Sequence, residues 1–261
     1  MTKIHGRGWR PDTPDHRDRR YGSIRPSTLI APVYPASVSL RSQMPPIFNQ
    51  EETSSCTAFA ISAVLNFNRI KTKETPQFRP SELFIYYNER LEEGTIKEDA
   101  GAEIRTGMKV VNKYGFCSHR NWPFVAAKLK NKPSARAYMA GTLYKTAEYY
   151  RLNNSNINDL KACLVSGNPF IFGYSTYESS GAADTNGGII PMPSTNEKAL
   201  GGHAIICCGY DDEKKLFQLH NSWGTECGDK GYYYLPYDYM ATTDLCDDFW
   251  TIRSIKEIDN E

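Results

Sequence analysis

The apolar residues of this chain change their spacing part-way along it. Phe59, Ala60, Ala63, Val64, Phe67 and Ile70 recur at helical intervals, as do Leu83, Phe84, Tyr87 and Leu91, and then Ile104, Met108 and Val111. Ser54 or Ser55 is placed to cap the first helix at Cys56. Pro80-Ser81 opens the second and Gly94 stops it, and Gly115 ends the third. After one short helix, Ile157 to Val165, the pattern becomes one of strands: 169–174, 203–210, 216–219, 231–235 and 249–252, with the charged turn Asp211–Lys215 closing a hairpin. Helices followed by antiparallel strands make an α+β fold. The spacing predicts a helical lobe over about 50–150 and a β lobe over about 155–255, with a cleft between them.

Length and charge narrow the partners. The 261 residues suit one large domain or two small lobes, and a net charge of +1 gives no reason to expect a nucleic acid or membrane partner. The N-terminus has no apolar core of signal-peptide length, and no later stretch is long enough to span a bilayer. A cytoplasmic, virion-associated, non-classically exported or trimmed chain all remain open, and a monomer is the default. Seven cysteines, an odd number, include no Cys-x-x-Cys pair. No metal or cofactor is therefore expected, and the favoured reading is six buried small apolar residues plus one reactive thiol. Cys207 and Cys208 adjoin on a strand and should face opposite sides.

Residues 1–34 carry Lys3, Arg7, Arg10, Arg17, Arg19, Arg20 and Arg25 against Asp12, Asp15 and Asp18, with no core-forming period. They form either a short inhibitory or tethering arm at the cleft, or a tail or strap over the surface. The long polar loop 178–199 is of the kind that often bears function.

Four polar residues point to thiol chemistry. Cys56 begins the best helix of the chain among small polar neighbours, where the helix dipole and unpaired N–H groups favour a thiolate. His203 follows Gly201-Gly202 and lies 147 residues after Cys56. An imidazole there could form an ion pair with the thiolate and return its proton to a leaving amine. Asn221, in Asn221-Ser222-Trp223-Gly224, would orient that imidazole, and Trp223 would cover the bond between them. Gln50, six residues before Cys56, could pair with the Cys56 N–H to hold an oxyanion.

From about residue 35 to 255 this set resembles the papain-like cysteine peptidases. Gln50, Cys56, His203 and Asn221 match the family's oxyanion-hole glutamine, nucleophile, histidine and asparagine, and 35–41 looks like the start of the mature chain. The resemblance implies a two-lobe fold with a barrel-like β lobe. It also implies a zymogen-type endopeptidase that forms a thioester acyl-enzyme on peptide or protein substrates. The family's Cys-Gly-Ser-Cys-Trp is here Ser54-Ser55-Cys56-Thr57 preceded by Thr53, so its usual disulfide cannot form. The second tryptophan after the Asn-Ser-Trp-Gly run is Cys227, and the long helical pro-domain is missing. These departures resemble the compact bacterial or large-virus branch. The expected substrate-contacting residues are Gly101, through main-chain pairing, Trp223, and Asp247 at the floor of the S2 pocket. A carboxylate at Asp247 would favour Arg or Lys at P2; two solvated acids in a turn is the competing reading. A transpeptidase or isopeptidase on the same site, and a silent binding protein of the same fold, are the alternatives.

Overall fold

The computed structural model describes residues 7–24 and 33–257; Lys3 and Arg25 of the basic segment lie outside them. Helices α1 (Cys56–Thr72), α2 (Glu82–Glu92) and α3 (Ile104–Lys113) come first, and α4 (Ala135–Gly141), α5 (Ile157–Val165) and α6 (Tyr237–Ala241) are shorter. Strands β1 (Ser37–Ser39), β2 (Tyr144–Arg151), β3 (Phe170–Tyr177), β4 (Ala199–Asp211), β5 (Leu216–His220), β6 (Tyr232–Pro236) and β7 (Cys246–Glu257) form one antiparallel sheet. Its order is β2-β7-β3-β4-β5-β6, with β1 on β4. The α+β expectation holds. The ladder is open, with β2 and β6 at its ends.

Caps follow the sequence closely. Ser81 accepts the Phe84 N–H at the start of α2, and Gly94 after it takes φ +73°. Ser55 precedes α1 without a side-chain cap bond. One expected face became a fully buried helix: every residue of α1 from Cys56 to Arg69 is buried. The helix runs through the interior, with α2 and α3 on one side and the sheet on the other.

The sheet serves two cores through its alternating side chains. Ile171, Ala204, Ile206, Trp250 and Ile252 pack against the helices, and Phe170, Phe172, Ile205, Cys207 and Phe249 face the opposite core. A register shift between Cys207 and Gly209 lets Cys208 join Cys207 in that second core instead of facing away from it. All seven cysteines are free and buried. Strand β2 falls inside the stretch read as helical. Lys145, Glu148 and Arg151 break its apolar alternation, and pairing with β7 decides its state.

Candidate active site

Two short pairings bring the four polar residues together. Segment 48–50 lies beside 222–224: Asn49 bridges to Trp223, Gln50 N–H donates to Ser222 O (2.9 Å) and Gly224 N–H to Phe48 O (3.1 Å). The β4–β5 hairpin sets His203 and Asn221 side by side, and α1 starts at Cys56 against β4.

Asn221 Oδ1 lies 2.8 Å from His203 Nε2 and also accepts the Ser222 backbone N–H at 2.8 Å. A backbone N–H can only donate, so the amide atom between them is the oxygen, and His203 Nε2 carries the proton. The neutral imidazole then has its basic lone pair on Nδ1. Trp223 stacks on the ring, 4.4 Å between centroids and 29° between planes, and Tyr174 meets it edge-on. Aromatic cover of this kind keeps water from the His203–Asn221 bond and strengthens it.

Gln50 is buried and doubly fixed. Its Oε1 accepts from Ser222 Oγ at 2.6 Å, and one Nε2 hydrogen goes to Thr53 O at 2.8 Å. Ser222 stands out only once the fold brings it to Gln50.

The thiol is sealed. Burial pushes Cys56 up to about 11, and backbone hydrogen bonds from Ala204 and Gly8 oppose the shift. Beneath it Glu89, also buried, accepts from Thr57 Oγ1 at 2.8 Å, and burial pushes its carboxyl up to about 8. His220, the last residue of β5 and the one before Asn221, is a structural histidine: it bonds Pro45 O at 3.0 Å, and burial lowers it to about 4.

Gly8 reaches the thiol because the N-terminal segment runs through the cleft. Trp9 N–H donates to Gly202 O, Ala102 N–H to Gly8 O (2.9 Å) and Arg10 N–H to Ala102 O, a parallel pairing. Gly101 permits the approach: it holds φ +71°, and a Cβ there would lie 1.8 Å from Gly8 O. The expected main-chain contact region is therefore used, with Ala102 making the bonds. The Trp9 indole donates to Asp248 Oδ2 at 2.8 Å, and Asp12 N–H donates to the same oxygen at 3.0 Å. Asp247 turns instead to Arg151, 3.1 Å away, with its side chain 44% exposed.

A charged cluster fastens the segment. Arg151 pairs with Asp12 (2.8 Å), Asp248 (3.0 Å) and Asp247, while Arg105 pairs with Asp18 (2.5 Å) and Asp12 (3.1 Å). Asp12 and Asp248 are fully buried. Burial, with Asp12 alongside, holds the Asp248 carboxyl well above the usual carboxylate range. Sequence reading singled out neither Trp9, Asp248 nor Arg151. Single aromatic and charged residues carry no local pattern, and only the packing of 7–20 gives them partners. Among the described residues no group of side chains could hold a metal ion, and no helix is long and apolar enough to cross a membrane.

Residues 34–247 match the family model described as papain family cysteine protease. The chain belongs to the papain family of cysteine proteases. It is a cysteine-type peptidase, and the expected resemblance is borne out. An uncharacterised peptidase C1-like protein of Acanthamoeba polyphaga mimivirus is 40% identical over 217 residues, 80% of this chain and 70% of that one. Peptidase 1 of Psoroptes ovis is 25% identical over 195 residues, 74% of this chain and 57% of that one. Among solved structures, xylellain, a cysteine protease from Xylella fastidiosa, is 40% identical with a TM-score of 0.89 and covers 98% of each chain. That coverage extends through the segment preceding the family match.

Proposed function

We propose that this peptidase is an endopeptidase in which Cys56 is the nucleophile and residues 7–20 hold the cleft closed. His203 Nδ1 takes the Cys56 proton, and the sulfur attacks the substrate carbonyl carbon. The Cys56 N–H and the Gln50 side-chain amide stabilise the oxyanion. His203 passes the proton to the departing amine as the C–N bond breaks, leaving a thioester. A water deprotonated by His203 then attacks, the C–S bond breaks and the acid leaves. The tautomer fixed by the Asn221 oxygen is the observation that carries this assignment, because it leaves the basic nitrogen for the thiol.

The closed form supports an inhibitory role for the arm. Gly8 stands beside the sulfur, and its carbonyl oxygen accepts the Ala102 N–H. The arm thus fills the site where a substrate would lie. It also keeps water from the thiol, which at neutral pH stays protonated. On this reading the chain is a zymogen, and undocking the arm restores solvent to Cys56.

An epoxide that alkylates activated cysteines tests the assignment on the full chain. One adduct on Cys56 is expected, formed slowly and lost together with peptide hydrolysis in His203→Ala. General acid–base catalysis is worth roughly 10²–10⁴ in rate. Adducts on another cysteine, or hydrolysis that survives His203→Ala, would reject it.

A further inference from the structure

The arm leaves an impression of a side chain the cleft is shaped to receive. The Trp9 indole is buried, in one cluster with Cys56, Ile171, Ala204 and Trp250. Its walls are two positions without side chains. A Cβ at Gly173 would lie 1.9 Å from indole Cε2, and one at Gly202 would lie 2.3 Å from the Trp9 carbonyl oxygen and 2.7 Å from Cε3. Any other residue at 173 would fill the space the ring occupies. At the far end of the pocket Asp248 Oδ2 accepts the indole N–H at 2.8 Å. A slot with two open walls and one acceptor at its end is a site for a large flat ring bearing a donor.

Its position relative to the chemistry follows from the arm. Gly8 is the residue at the sulfur, and Trp9 is one residue further along, beside Gly202, whose neighbour is His203. A substrate residue entering this slot is therefore one removed from the residue whose carbonyl is attacked. The contacts at Asp248 and Gly173 are made by the indole and not by the main chain that carries it.

Charge in the slot argues against a cationic occupant. Asp248 Oδ1 is already held by Arg151 at 3.0 Å, and Asp247 by the same guanidinium. An incoming guanidinium or ammonium would meet Arg151 behind the carboxylate, whereas a neutral N–H needs only the acceptor on Oδ2. The charge-reading floor expected from Asp247 is thus occupied from within the protein.

We infer that Gly173, Gly202 and Asp248 form the specificity pocket of this peptidase, and that it selects peptides with tryptophan at the second residue before the scissile bond. The arm competes with substrate by placing its own tryptophan there. This inference rests on the peptidase mechanism proposed above.

The full chain carrying Trp9→Ala tests it, because that change vacates the slot. Titration calorimetry should show 3-methylindole binding to Trp9→Ala and none to the unaltered chain. 1,3-Dimethylindole, which lacks the N–H, should bind about tenfold more weakly. The same variant should hydrolyse peptidyl-coumarin amides differing only at that second residue, with tryptophan ahead of phenylalanine, leucine and arginine in kcat/KM. Adding Gly173→Val should abolish the methylindole binding and the lead of tryptophan. Failure of 3-methylindole to bind, or leucine or arginine cleaved best, overturns the pocket assignment and leaves the peptidase mechanism standing. Methylindole bound with none of the four peptides cleaved removes that mechanism and this inference with it.

Discussion

Arg151 is the residue whose removal should open the cleft. It sits at the end of β2 and contacts Asp12 of the arm together with Asp247 and Asp248 of β7. Arg151→Gln leaves the fully buried carboxyls of Asp12 and Asp248 facing each other, with Arg105 still holding Asp12. Removing one partner of a buried pair costs about 3–5 kcal/mol. The Asp248 carboxyl, raised by burial, already holds its proton readily in the docked form, which places the cost near the lower end, about 3 kcal/mol. The fold has an escape from this penalty, since undocking the arm returns Asp12 to water and hydrates Asp248. The cost therefore falls on the docking equilibrium rather than on the whole fold, and the undocked fraction should rise roughly a hundredfold. While the docked form dominates, the alkylation rate of Cys56 follows that fraction. Intact-mass kinetics with excess epoxide should show an increase of roughly a hundredfold over the unaltered chain, and Arg151→Lys, which keeps the charge, a smaller one. An unchanged alkylation rate with a lowered Tm would refute the reasoning: residues 7–20 would then be a structural strap that does not govern access.

Two further outcomes follow from the site. Gln50→Ala removes one oxyanion donor, and kcat should fall by roughly 10²–10³, while Cys56 alkylation, which builds no tetrahedral oxyanion, changes much less; equal losses in both would show that Gln50 only shapes the turn before α1. The raised Asp248 carboxyl makes docking depend on pH, because the docked form keeps a proton that the released form gives up. Its contribution is complete below the ordinary carboxylate pKa of about 3.9 and declines as pH rises above it toward the raised value. Tm should therefore fall from about pH 5 to about pH 8, and Asp248→Asn should flatten that fall; parallel slopes in the two proteins would reject the assignment.

The short α4 and α6 were not legible in the chain, whereas helices α1, α2, α3 and α5, the strands after Ile157 and the candidate set Cys56, His203, Asn221 and Gln50 were. Each rests on local information: a 3.6-residue period, a run of β-branched and aromatic residues, or a short motif at a characteristic spacing. Thr53 likewise declared the missing disulfide, and all seven thiols are free. Strand β2 was hidden because its charged residues gain their meaning from β7 alone. Which acid lines the slot could not be read either. Asp247 and Asp248 are neighbours of identical chemistry, and an irregularity of β7 at Asp248, which takes φ +59° where the pairing with β3 shifts register, together with the position of Arg151 sends one to the surface and the other beneath Trp9. The N-terminal segment shows the division most clearly. Its sequence has no period, so arm and surface strap were equally open. Its place in the cleft comes from contacts with residues up to 239 positions away, Trp9 to Asp248. Local pattern determined which groups this protein could use, and long-range packing decided which of them meet, because hydrogen bonds and ion pairs between distant residues leave no periodic trace in the chain.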